Sequence, residues 1–133
     1  MALRKILIHP DPRLKKTAEP IASFDDDLRR LADDMLETMY DAPGIGLAAP
    51  QVAVMNRMIV MDCAKEADAT PEPMVLINPE VVWTSDEPNV YEEGCLSVPE
   101  QFAEVTRPAE VEELWLDLDG STQRGLFDGL WAT

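Results

Sequence analysis

The chain has 133 residues, with 11 basic and 26 acidic side chains and a formal net charge of −15. That length makes one domain, residues 1–133, large enough for a real core, and 46% hydrophobic residues is ordinary for a globular protein. The acidity argues against a nucleic-acid backbone as direct partner, which needs a basic face, and no apolar run reaches the roughly 18 residues that span a membrane.

The N-terminus, Met1-Ala2-Leu3-Arg4-Lys5-Ile6, runs straight into His9-Pro10-Asp11 and contains no signal-peptide h-region. Residues 3–8 are therefore followed at once by a turn signal. The first 30 residues carry seven basic and five acidic side chains, so nearly all the negative charge lies beyond them. The spacing of Leu28, Leu31, Ala32, Met35, Leu36 and Met39 predicts an amphipathic helix from Asp25 to Tyr40. Ser23 or Asp25 can cap it, Asp25-Asp26-Asp27 suits its positive end, and Pro43-Gly44 ends it. Gly44 to Gln51 follows as a loop rich in small residues. Met58 to Cys63 reads as a buried strand, and Lys65 to Pro73 as a polar loop. Met74–Ile77 and Val81–Trp83 read as short strands broken by Asn78-Pro79. Phe102–Thr106 and Val111–Leu118 look like two antiparallel strands, with Ser121–Phe127 returning after the tight turn Asp119-Gly120. Asp128 is a candidate N-cap for a helix that starts at Gly129 and reaches the last residue, Thr133, within its first turn and a half. The architecture is α+β: one clear helix with short, mostly antiparallel strands.

Two segments carry candidate chemistry. Gly44-Ile45-Gly46-Leu47-Ala48-Ala49-Pro50-Gln51 lets a backbone approach a ligand closely. It has neither Gly-Lys-Ser/Thr nor Gly-x-Gly-x-x-Gly, so it is not a phosphate loop. Gln51 either donates its amide to a substrate oxygen or bonds neighbouring backbone. The second segment is Glu92-Glu93-Gly94-Cys95-Leu96-Ser97-Val98-Pro99. Its thiol is a candidate nucleophile or metal ligand. His9 is the one histidine, and it sits in a proline-flanked turn, poorly placed for a Cys–His or Ser–His pair. Cys63 is 32 residues from Cys95 with no Cys-x-x-Cys, which is no redox motif or zinc ribbon. A reduced, cytoplasmic setting is expected. A three-ligand catalytic metal site needs more than Cys95 and one histidine.

Taken together, Gly44–Gln51 and Glu93-Gly94-Cys95-Leu96-Ser97 resemble the first two signature motifs of the peptide deformylases. The stretches Ile8–Leu14, Glu37–Tyr40, Ile77–Glu80, Leu116–Gly120 and Gly125–Thr133 are similar to that family too. The resemblance implies a deformylase-like fold around a central metal-binding helix. It also implies hydrolytic removal of the formyl group from N-terminal formyl-methionine of nascent proteins, with action near the ribosome. The implied cofactor is Fe(2+), replaceable by zinc, nickel or cobalt. Cys95 would be a metal ligand. Gln51 and the Leu96 N–H would hydrogen-bond the formyl oxygen. Ile45, Gly46 and Leu47 would line or bond the peptide, Glu93 would support the metal ligand from behind, and His9 would be structural.

The family's third motif, His-Glu-x-x-His, supplies two more ligands and the general base and acid. The 133 residues stop just short of it. The expectation is a deformylase-like chain cut off after the first turn of its central helix, not holding metal stably and inactive alone. The alternatives are a non-catalytic peptide-binding or regulatory relative and a chain completed in trans. Lost packing against the missing helix, at about 1.5–3 kcal/mol per large side chain, should also weaken the fold.

Overall fold

Helix α1, Asp26–Asp41, forms where apolar residues recur at helical spacing, and the Asp25 carboxylate, not Ser23, accepts the Leu28 N–H at its start. At its other end the Ala42 N–H reaches the Thr38 carbonyl and the Gly44 N–H the Met39 carbonyl, which turns the chain out of the helix. The computed structural model that defines these contacts describes residues 2–64 and 70–133. The first five residues of the expected Lys65–Pro73 loop lie outside the described residues.

The strands are β1 (Gly46–Ala48), β2 (Met58–Met61), β3 (Met74–Thr84), β4 (Pro88–Cys95), β5 (Val98–Pro108), β6 (Glu110–Leu116) and β7 (Thr122–Asp128). Five of them form one sheet in the order β1-β2-β3-β6-β7, each neighbour antiparallel, and β4 and β5 form a separate antiparallel ribbon. The architecture is thus α+β, as the pattern predicts.

The core is the seam between α1 and one face of the sheet. Leu28, Ala32, Met35 and Met39 pack on Leu47, Met58, Val60 and Ile77. Met35 and Met39 are fully buried, and each such side chain contributes about 1.5–3 kcal/mol. The methionines of this face are core packing. The N-terminal segment is laced along the helix: Ala2 N–H and Arg4 donate to Asp34, and the Arg4 N–H donates to Thr38 Oγ1. Burial alone would raise the Asp34 carboxyl, but the Ala2 N–H and the Arg4 guanidinium hold it below its ordinary value.

Several expectations need correction. Asn78-Pro79 does not break the strand: β3 runs through it as a bulge, with Asn78 at φ 51°. Asn78 tolerates that conformation because its side chain does the work of a strand partner: Oδ1 accepts the Ile21 N–H and Nδ2 donates to the Ile21 carbonyl. The segments read as Phe102–Thr106 and Val111–Leu118 are not partners. The first belongs to β5, which pairs with β4; the second is β6, ending at Leu116, between β3 and β7. A register of this kind is set by contacts distant in sequence, which alternation alone does not encode. The Gly44–Gln51 loop contains strand β1 and a 3-10 turn, Ala49–Val52. Gly129–Ala132 is a 3-10 turn, and the Asp128 side chain makes no capping bond to it. Strand β2 ends at Met61, so Cys63 lies beyond the strand.

Candidate active site

The two motif-bearing segments meet. β1 is the edge strand of the five-stranded sheet, and Gln51 sits in the 3-10 turn that follows it. Cys95 ends β4, and Leu96 and Ser97 form the tight turn into β5. The segment from Leu7 to His9 joins them: the Leu7 N–H donates to the Gln51 carbonyl and the His9 N–H to the Ser97 carbonyl, both at 2.7 Å. This supports the structural reading of His9, whose backbone carries the contact. At the top of the seam Gly44 faces Leu96 so closely that a Cβ on Gly44 would lie 2.6 Å from Leu96 Cδ1.

Gln51 bonds neighbouring backbone and also reaches the second segment. Its Oε1 accepts the Ala48 N–H at 2.9 Å. That bond fixes which way the amide faces, so Nε2 points across to the second segment, donating to Ser97 Oγ at 3.1 Å and facing Cys95 Sγ at 3.6 Å. Ser97 is buried, while Cys95 is exposed. An amide N–H and a thiol thus meet beside the tight turn Leu96-Ser97. Pre-placed donors of this kind stabilise a developing oxyanion.

The spot opens into a cleft of about 640 Å³, whose lining includes Ile45, Gly46, Gln51, Met61, Cys63, Tyr91, Glu93, Cys95, Leu96, Phe102, Leu130 and Trp131. Ile45 is half-buried and Gly46 is exposed at the sheet edge. Leu47 differs: its side chain is buried in the α1 core, so it offers a ligand only its backbone. The edge is held by Asp62, whose N–H donates to the Ile45 carbonyl and whose buried carboxylate accepts from the Tyr40 hydroxyl at 2.6 Å. Burial and the bond to Asp62 push the Tyr40 hydroxyl up to about 12.

Glu93 sends both oxygens to Arg107, at 2.6 and 2.8 Å, a bidentate pair across the β4–β5 ribbon. The hydrogen bonds from Arg107 hold its carboxyl below the ordinary carboxylate range. Glu93 is therefore tied across the ribbon to β5. Neither Arg107 nor the Ser97 hydroxyl stood out in the sequence as a partner. Arg107 lies 14 residues from Glu93, and only the hairpin register brings them together.

The donor set does not fit a resident catalytic metal. Cys95 offers one exposed thiol, the chain's single histidine is not among the described residues lining the cleft, and no group of three His, Cys, Asp or Glu side chains gathers among the described residues. No helix among them is long and apolar enough to cross a membrane.

The model of the polypeptide deformylase family matches residues 3–133. A peptide deformylase of Bradyrhizobium diazoefficiens is 54% identical over 136 residues, covering all of this chain and 78% of that protein. One of Methylocella silvestris is 55% identical and is covered to 69% of its length. Among solved structures, a peptide deformylase from Legionella pneumophila superposes with a TM-score of 0.91 at 44% identity, over 98% of this chain and 75% of that one. One from Thermotoga maritima gives 0.92 at 36% identity, over 99% and 86%.

Proposed function

The chain belongs to the polypeptide deformylase family, and from that premise we propose that it carries the peptide- and oxyanion-binding half of a deformylase site. The substrates of this reading are N-formyl-methionyl peptides, as they stand on nascent proteins. Gln51 Nε2 and the Leu96 N–H meet the formyl oxygen. Ile45, Gly46 and the Leu47 backbone receive the peptide along the open edge of β1, where an added strand finds unpaired N–H and C=O groups. Glu93 and Arg107 hold the ribbon that presents Cys95 and Leu96.

The observation that carries this reading is the fixed amide of Gln51, locked by Ala48 and turned toward Ser97 and Cys95. In the family a divalent metal, usually iron, supplies the activated water. Among the described residues Cys95 is the ligand of that kind in the cleft, and the expected outcome for these 133 residues alone is peptide binding without formate release. Recognition of the formyl-methionyl peptide within the deformylase reaction, in a cytoplasmic setting, is the role these residues favour.

Metal analysis of the purified chain together with a formate-release assay on a formyl-methionyl peptide tests it. Less than stoichiometric iron or zinc and no formate is the expected result. Stoichiometric metal with turnover contradicts it.

A further inference from the structure

We propose that the outer edge of β7 docks a second copy of this chain, the two strands pairing antiparallel about a two-fold axis at Leu126. β7 closes one side of the five-stranded sheet, and among the described residues no strand lies beyond it. Its outer side therefore presents unpaired N–H and C=O groups. Of the usual protections of such an edge, proline and bulges are both missing. β7 contains no proline, and its register with β6 runs unbroken from the Glu110–Asp128 pair to the Leu116–Thr122 pair. The opposite edge, β1, is only three residues long.

The side chains decide what fits there. Trp83, Glu112 and Leu126 are register partners across β3, β6 and β7, so they form one row on one face of the sheet. Leu126 is 60% exposed and Trp83 48%. On the same face Arg124 pairs with Glu112. Asp128 instead stands opposite Glu110, carboxylate against carboxylate, and forms no ion pair among the described residues. A two-fold pairing centred on Leu126 sets Leu126 against its own copy, and it sets Arg124 of each copy against Asp128 of the other. Centring on Arg124 would oppose two cations. Centring on Gly125 or Phe127 would leave Asp128 opposite Thr122 or Leu126. The Leu126 register is thus the one that gives Asp128 a cation, and it joins the two Trp83–Glu112–Leu126 rows into one strip. Such a joint is isologous, the same patch serving both copies. The paired stretch is short, so the dimer is weak and concentration-dependent. It does not depend on the peptide-binding reading.

Sedimentation velocity of the full chain tests this, in about 0.15 M salt to screen the chain's overall negative charge. The unchanged chain should pass from monomer to dimer between about 5 µM and about 500 µM. Leu126→Lys should weaken the dimer by about tenfold or more. Arg124→Asp and Asp128→Arg each place like charges across the joint, and each alone should remain monomeric over that range. Mixed in equal amounts, the two variants should form a heterodimer, because the mixture restores an opposite-charge pair at both ends of the joint. Net charge alone predicts otherwise: Asp128→Arg makes the chain less acidic, which would favour self-association. All three positions are exposed, and circular dichroism checks that each variant folds. The proposal is overturned if the unchanged chain stays monomeric throughout, or if Leu126→Lys or either charge variant dimerises as well as the unchanged chain. It is overturned equally if the mixed charge variants stay monomeric where the unchanged chain dimerises.

Discussion

Replacing Gly44 by alanine should uncouple the two halves of the site. A Cβ there would lie 2.6 Å from Leu96 Cδ1 and 3.3 Å from Leu96 Cγ. Leu96 cannot simply swing away, because it packs against the main core cluster and forms the turn after Cys95. Over-packing of this kind costs about 1–3 kcal/mol, which for a domain of this size is a fall in Tm of roughly 4–12 °C. The displaced turn also carries the Leu96 N–H, so affinity for a formyl-methionyl peptide should fall along with stability. Gly46→Ala is the internal control. Its Cβ would meet nothing closer than the Val60 carbonyl at 3.8 Å, so its stability should change by at most about 1 kcal/mol, in the stabilising direction. Urea unfolding followed by tryptophan fluorescence measures both. If Gly44→Ala is as harmless as Gly46→Ala, the two segments are not in the close contact described, and the argument for a joint site fails.

Asp34 and Tyr40 give two pH tests. The depressed Asp34 carboxyl makes a stability contribution that is fully present above its unfolded value near 3.9 and disappears as pH falls through its lower folded value. Its partner Arg4 is about a third exposed, so the contribution is set at about 1 kcal/mol. Asp34→Asn should be less stable than the parent at pH 7, and the gap should close in urea titrations as the pH is taken down through the folded value; a gap independent of pH would refute the assignment. For Tyr40 the sign is reversed. A hydroxyl raised to about 12 stabilises the fold below its ordinary value near 10 and loses that contribution as pH rises through the folded value. In a Tyr91→Phe background, ultraviolet titration of the remaining tyrosine should show its midpoint well above 10. A midpoint near the ordinary value would mean that the bond to Asp62 is not formed.

The sequence revealed those parts of the fold that rest on local pattern. Helix α1 followed from the spacing of Leu28, Ala32, Met35 and Met39, and its cap from Asp25. The return of β7 along β6 followed from Asp119-Gly120. What it concealed was pairing. The partner of β5 is fixed by the Cys95–Val98 hairpin, which reads as a motif and not as a turn. The continuity of β3 depends on Asn78 bonding Ile21, 57 residues away. The site divides in the same way. The segments of Gln51 and Cys95 stand out because they resemble family motifs, and the structure brings them together. Ser97 as the partner of the Gln51 amide, Arg107 as the partner of Glu93 and the inward turn of Leu47 depend on register and burial.

The central claim is that Gln51 and the Leu96 N–H receive the formyl group in a cleft that binds without hydrolysing. Nuclear magnetic resonance of the folded chain, titrated with formyl-Met-Ala-Ser and with the same peptide lacking the formyl group, tests it most directly. The predicted result is a saturable shift of the Gln51 side-chain amide and the Leu96 N–H with the formylated peptide, weaker shifts with the unformylated one, and no formate produced. Unperturbed Gln51 and Leu96 signals at saturating peptide, or identical shifts from both peptides, would contradict it.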